Sequence, residues 1–226
     1  MSIFRIVLAD DHILFRKGIA AILATRPHVQ IVGEAGDGLE AVACARATQP
    51  DLILMDVHMP KSSGLEAVKA IKAELPQTQI VMLTVSEDER DLFAAIKNGA
   101  SGYLLKNLEP EQLYAMLEAI QRGEPAFSGN LAGKILAEFR QPSGHVQPPA
   151  APSNALSPRE VQVLEQIVQG ATNKEIAAAL SIAEDTVKIH LRNILEKLHV
   201  HNRIQAAVYA VRQGLVRDGE PPSPTG

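Results

Sequence analysis

The chain has 226 residues, 46% hydrophobic and 21% charged, a globular composition that excludes a fibrous or wholly disordered protein; the length favours two compact units over one. No Trp occurs and aromatic residues make up 4%, which argues against a stacking platform for single-stranded nucleic acid. The net charge of −4 is uneven, with 14 Lys+Arg against 18 Asp+Glu up to residue 140 and 8 against 8 beyond it. Any nucleic-acid contact must therefore come from where charges sit and not from a basic excess.

The first apolar stretch, Ile3 to Leu8, meets Asp10 and Asp11 too soon for a signal peptide, and no run reaches the eighteen apolar residues of a membrane helix. The single cysteine, Cys44, cannot close an internal disulfide and suits a reducing compartment. The expectation is a soluble, cytoplasmic protein with no membrane partner. Cys44, between Ala43 and Ala45, reads as packing rather than as a reactive thiol.

Residues 3–9, 29–35, 51–56, 79–84 and 101–105 are short β-branched or Leu-rich runs, and three of them are almost continuously apolar up to Asp10, Asp56 and Thr84. Such runs read as strands buried on both faces. Stripes of helical period separate them: Ile13, Ile19, Ile22 and Leu23; Leu65, Val68, Ile71 and Leu75; Leu92, Ala95 and Ile96; Leu113, Leu117 and Ile120. Strand alternating with helix five times implies a parallel sheet covered on both faces.

In such a sheet chemistry gathers outside the carboxyl ends of the strands. Asp10 and Asp11 end the first strand, Asp56 the third and Thr84 the fourth, while Lys106 follows the fifth. With strand order 2-1-3-4-5 these groups converge on one crevice. Three packed carboxylates repel and ask for a cation, and a hard divalent ion, Mg²⁺, fits oxygen ligands. Beside a metal and a lysine, Asp56 becomes a carboxylate nucleophile toward a phosphoryl group. Taken singly, each Asp also reads as a turn or helix cap, Asp11 with His12 onward among them. His58 and Glu34 read as loop and surface residues by their side chains.

Residues 125–140 read as a turn and then a helix through Ile135 and Phe139. The run 141–155, with four prolines and no charge, reads as a linker. A second unit begins at Leu156. Ser157 and Glu160 form a capping box with Pro158 at the first helical position, Val161, Leu164 and Val168 face inward, and Gly170 ends the helix. Thr172 and Glu175 form a second box, for a helix burying Ile176 and Leu180. After Ser181-Ile182-Ala183, a third helix stripes Val187, Leu191, Ile194, Leu195 and Leu198, completing a helix-turn-helix. Opposite that stripe lie Asp185, Ile189, Arg192 and Glu196, flanked by Lys188 and Asn193. An outward Ile189 either meets a thymine methyl or is a stray apolar residue on a solvated helix. Lys188 and Arg192 suit guanine edges or phosphates, and Lys174 and Arg203 suit phosphates. The tail 218–226, with three prolines and two glycines, reads as disordered.

The set Asp10-Asp11-His12, Met55-Asp56-Val57-His58-Met59-Pro60 with Gly64, Leu83-Thr84, and Gly102-Tyr103-Leu104-Leu105-Lys106 resembles the receiver domain of bacterial response regulators. The resemblance implies a flavodoxin-like doubly wound receiver over 1–122 and phosphorylation of Asp56 by a sensor histidine kinase. Asp11, Asp56 and the main-chain carbonyl of His58 would hold Mg²⁺, with Asp10 assisting through water. Thr84 and Lys106 would bond the phosphoryl oxygens and Tyr103 would be the switching aromatic; its plainer reading is a half-buried strand residue with its hydroxyl in water. Val85 departs from the smaller residue many receivers carry there.

Leu156-Ser157-Pro158-Arg159-Glu160, Asn173-Lys174-Glu175-Ile176-Ala177 and Thr186-Val187-Lys188-Ile189-His190 resemble the all-α helix-turn-helix of the LuxR/NarL/FixJ regulators, over 156–217 and joined to the receiver by 123–155. That implies a DNA-binding surface of Lys174, Thr186, Lys188, Ile189, Arg192 and Arg203 on promoter duplex, and a homodimer when phosphorylated. Ala183 departs from the hydroxyl cap usual there. The whole reads as a non-enzymatic transcription regulator. Two readings compete with it: an Mg²⁺-dependent aspartyl-phosphate phosphohydrolase, in which His58 stands where a second acid is usual, and a regulator acting by protein contacts without phosphate.

Overall fold

A computed structural model describes residues 3–85, 88–124, 126–127, 156–213 and 215–216. The helix expected through Ile135 and Phe139, the linker at 141–155 and the tail at 218–226 lie outside the described residues. Two compact units are present, the first built on Met1–Gln121 and the second carrying the C-terminal helices.

In the first unit the apolar runs become β1 (Phe4–Ala9), β2 (Val29–Ala35), β3 (Leu52–Asp56), β4 (Gln79–Thr84) and β5 (Gly102–Leu105). Between and after them lie α1 (Ile13–Leu23), α2 (Gly38–Thr48), α3 (Gly64–Glu74), α4 (Glu89–Asn98) and α5 (Pro110–Gln121). The five strands are parallel in the order 2-1-3-4-5. Every residue of β3 is buried, as helices on both faces of a parallel sheet require. Helix starts follow local chemistry: Asp37 accepts from the Glu40 amide, Ser63 and Glu66 form a capping box, and Asp88 accepts from the Arg90 amide.

Two expectations change. The turn expected at 125 onward carries a short sixth strand, β6 (Ala126–Phe127), parallel to β5, where two residues are too few for a pattern to register in sequence. On α1, Ile13 is 63% exposed, and Phe15 packs against the core beside Ile19, Ile22 and Leu23. In the first turn of α1 the inward position is Phe15, two residues on from the expected Ile13.

The second unit holds α6 (Pro158–Val168), α7 (Asn173–Leu180), α8 (Glu184–Leu198) and α9 (Arg203–Arg212). Both expected capping boxes are formed. α6 buries Val163, Leu164 and Ile167, so its inward face lies between the expected Val161 and Val168, which only flank it. Gly170 follows α6 in the left-handed region, with φ of 84°. Ser181 ends α7 at φ 53°, a left-handed turn that lets Ile182 fold back onto the core. Glu160 is 3% exposed and accepts from Lys197 on α8 at 2.7 Å. Desolvation works against its charge, but Lys197 and the Ser157 amide outweigh it and hold the carboxyl below its ordinary value.

Candidate functional site

The register of the parallel strands brings their carboxyl ends level. Ala9 pairs with Met55, Asp56 with Leu83 and Thr84 with Leu105, so Asp10, Asp56, Thr84 and Lys106 meet at one edge, as expected. The Lys106 amide donates to the Thr84 carbonyl at 2.7 Å. That bond holds the lysine's backbone against β4 before its side chain turns into the crevice.

Asp10 and Asp56 are 3% and 4% exposed, and Thr84 is fully buried. Lys106 Nζ donates to Asp56 Oδ2 at 2.7 Å and makes an ion-pair contact of 2.8 Å with Asp10 Oδ2. The Phe15 ring lies 4.9 Å from the same ammonium. Burial raises the Asp56 carboxyl above the usual carboxylate range, against the pull of Lys106. Desolvation also opposes the Lys106 charge, yet Asp10 and Asp56 together hold that pKa above its ordinary value. A buried cation thus stays charged between two acids.

One ligand atom from each of Asp10, Asp11, His12 and Asp56 lies within 4.8 Å of the others. Asp10 Oδ2 is buried and accepts no hydrogen bond of good geometry, which leaves the Lys106 charge as its partner. A donor set of three carboxylates with an underused buried oxygen fits a hard divalent cation. Asp11 does not cap α1: the N-cap is His12, which makes no side-chain cap bond. The Asp10 side chain accepts the His12 amide at 2.9 Å instead.

Sequence reasoning passed over Arg16. Its Nη1 donates to the Asp10 carbonyl at 2.5 Å and its Nε to Glu34 at 2.8 Å, so one guanidinium ties the end of β1 to β2. Its only sequence signal is a basic residue one helical turn after His12. Glu34 is the exposed ion-pair partner of Arg16 and Lys17, as its surface reading anticipated. His58 is exposed, with Nε2 3.3 Å from Asp91 Oδ2, and its amide is 3.4 Å from Asp56 Oδ1. Gly64 permits the α3 terminus to approach this loop: a Cβ there would lie 1.9 Å from the Asp56 carbonyl oxygen.

Tyr103 is 1% exposed, which replaces the half-buried reading with a ring packed inside. Its hydroxyl is buried without a well-formed hydrogen bond beside the Thr84 side chain, and desolvation, with the Asp91 charge, pushes its pKa up to about 12. Val85 is 80% exposed. Cys44 is half-buried against Gly33, where a Cβ would meet its sulfur at 2.2 Å; burial raises the thiol pKa, in line with a packing role.

On the second unit, Ile189 is 50% exposed on α8, opposite the buried Val187, Leu191, Ile194 and Leu198. Lys174, Asp185 and Arg192 are exposed, and Lys188 Nζ reaches Asp185 Oδ1 at 3.2 Å. Ala183, the N-cap of α8, makes no side-chain cap bond. Arg203 departs from expectation. It is 8% exposed, donates to Asn173 Oδ1 at 2.8 Å and also bonds the Ala171 carbonyl. Its guanidinium fastens the start of α9 to the start of α7, and its burial weighs against the phosphate contact expected of it.

A doubly wound sheet with an acid-and-lysine edge, in one chain with a helix-turn-helix, defines the class of transcriptional response regulators. Residues 6–118 match the family described as the response regulator receiver domain, and residues 154–210 match the luxR family of bacterial regulatory proteins. LiaR, a transcriptional regulatory protein of Bacillus subtilis (strain 168), is 42% identical over 212 residues, covering 94% of this chain and 99% of LiaR. NarP, a nitrate/nitrite response regulator of Escherichia coli (strain K12), is 39% identical over 210 residues, covering 93% and 95%. A solved structure of two RcsB dimers bound to two parallel DNAs matches with a TM-score of 0.55 and 25% identity, over 93% of this chain and 98% of that one. The chain belongs to the response regulators of NarL type, which join a receiver domain to a luxR-family domain. Among the described residues no helix is long and apolar enough to cross a membrane.

Proposed function

We propose that a sensor histidine kinase transfers a phosphoryl group to Asp56, and that the modified chain pairs with a second copy and binds promoter duplex to regulate transcription. The observation that carries this reading is the buried Asp56 carboxylate, 2.7 Å from Lys106 inside the acid cluster. In the transfer, an Asp56 oxygen forms a bond to phosphorus while the phosphorus–nitrogen bond of the donor phosphohistidine breaks, and that bond's electron pair stays with the imidazole. Asp11, Asp56 and the His58 main-chain carbonyl would hold Mg²⁺, with Asp10 acting through water, and the ion when bound would neutralise charge on the phosphoryl oxygens.

The phosphoryl group draws in the Lys106 ammonium and the Thr84 hydroxyl, since both are donors to a strongly charged acceptor. Tyr103, packed beside Thr84, follows that movement and carries it to the face between β4 and β5. The chain acts as a stoichiometric acceptor in the cytoplasm and not as a turnover enzyme. We assign the receiver to 1–122, the connector to 123–155, the DNA-binding domain to 156–217 and a tail to 218–226.

On DNA, α8 enters the major groove with Lys188, Ile189 and Arg192 toward base edges, while Lys174 and Thr186 contact phosphates. The likeness to RcsB, whose dimers bind DNA in the matched structure, supports this docking. Acetyl phosphate with Mg²⁺ should add a single phosphate to the wild type and none to Asp56→Ala, read by intact-mass spectrometry. Equal labelling of the two proteins would sink the assignment.

A further inference from the structure

The acid cluster contains a group that an oxygen-only cation site does not use. His12 Nδ1 lies 2.7 Å from Asp11 Oδ1 and 3.4 Å from Asp10 Oδ1, and it belongs to the set of four ligand atoms within 4.8 Å of one another. Its side chain is 71% exposed, so nothing in the core dictates where the imidazole sits. As the N-cap of α1 it makes no side-chain cap bond, so helix capping does not account for its position either. In the same cluster the buried Asp10 Oδ2 has the Lys106 ammonium, 2.8 Å away, as its partner.

Opposite ligands of a cation with bonds of about 2.1 Å stand about 4.2 Å apart. A cluster spanning 4.8 Å therefore closes on one ion through small rotations of its two more exposed members, Asp11 and His12. Mg²⁺ gains little from nitrogen, because it prefers oxygen donors and keeps several waters. First-row transition cations bind imidazole well, and their affinity for a mixed nitrogen and oxygen site rises toward the end of the series.

We propose that His12 is an additional ligand in this pocket, giving it a preference for a borderline first-row cation such as Ni²⁺ or Co²⁺ over Mg²⁺. The inference rests on the reading of the acid cluster as a metal site. Carboxylates bind either class of ion, and the imidazole adds affinity for only one. The pocket's selectivity is therefore set by a residue outside the phosphoryl chemistry.

The test uses the full chain and follows bound Mn²⁺ by electron paramagnetic resonance while Mg²⁺ or Ni²⁺ displaces it. Asn is a favoured N-cap residue, so His12→Asn suits the start of α1 and replaces the imidazole with an amide; His12→Ala repeats the measurement with no donor at all. Both variants should weaken Ni²⁺ displacement by about tenfold or more, an effect of the size expected when a metal site loses a supporting group, and leave the Mg²⁺ midpoint within about twofold. Unchanged Ni²⁺ displacement, or an equal loss for both ions, overturns the role of His12. Asp11→Asn separates the two levels of the argument. Full Mn²⁺ binding by Asp11→Asn removes the metal pocket itself, whereas its loss alongside unaltered His12 variants removes only the inference.

Discussion

Lys72 is a residue whose chemistry is decided by burial alone. It is 1% exposed, its Nζ donates to the Pro76 carbonyl at 3.1 Å, and desolvation pulls its pKa down to about 8 from 10.5. An amine with a lower pKa in the folded state is destabilising below pH 8, because the unfolded chain binds its proton more tightly; the penalty fades as pH climbs from 8 toward 10.5. At neutral pH the shift corresponds to about 3 kcal/mol. Lys72→Met is therefore expected to raise unfolding stability at pH 7 by up to that amount, with the gain shrinking near pH 10. Denaturant titrations at the two pH values check it, and a pH-independent gain would contradict the burial argument. Arg192 is decided the other way, by exposure. Arg192→Ala should cost about 1–3 kcal/mol of promoter binding and relax preference at one base position, measured by competition between specific and scrambled duplexes. Nothing in the sequence marks Lys72 as buried or Arg203 as occupied. A long basic side chain looks the same in a string of letters whether its tip meets solvent or a carbonyl.

At the scale of the element, local chemistry and close packing give separate predictions. The α8 N-cap lacks an acceptor because Ala183 stands there, so Ala183→Ser should stabilise the DNA-binding unit by about 1 kcal/mol, visible as a higher midpoint in thermal unfolding. Gly64 is constrained by the loop it meets. With a Cβ placed 1.9 Å from the Asp56 carbonyl oxygen, Gly64→Ala must displace the loop that carries His58. The variant should lose about 1–3 kcal/mol of stability and slow the labelling of Asp56 by acetyl phosphate. Strand and helix positions were legible because buried parallel strands are continuous apolar runs and several helices open on a capping residue such as Ser157 or Thr172. The rotation of α1, which left Ile13 outside and Phe15 inside, was not. Both positions are apolar, so the stripe alone does not choose between them, and packing against the sheet does.

For the whole molecule, the neutral charge balance beyond residue 140 predicts weak non-specific DNA affinity, and under the proposed function promoter binding is expected to lean on dimerisation and base contacts. Acetyl phosphate with Mg²⁺ should increase both the dimer fraction in sedimentation and the affinity for promoter duplex at moderate salt. Asp56→Ala should show neither change, and chelation of the metal by EDTA before labelling should suppress both in the wild type. Dimerisation that proceeds equally with EDTA would detach assembly from phosphorylation. By itself the sequence determined that strands alternate with helices, that acids stand at their carboxyl ends, and that a capped helix-turn-helix follows, because periodicity, caps and strand-end positions are local properties. Tertiary structure alone decided that His12 joins the acids, that Arg16 pins β1 to β2, that Tyr103 is buried and that Arg203 turns inward. Those outcomes depend on distances between residues remote in the chain, and only the folded register of the sheet and the packing of the helices sets such distances.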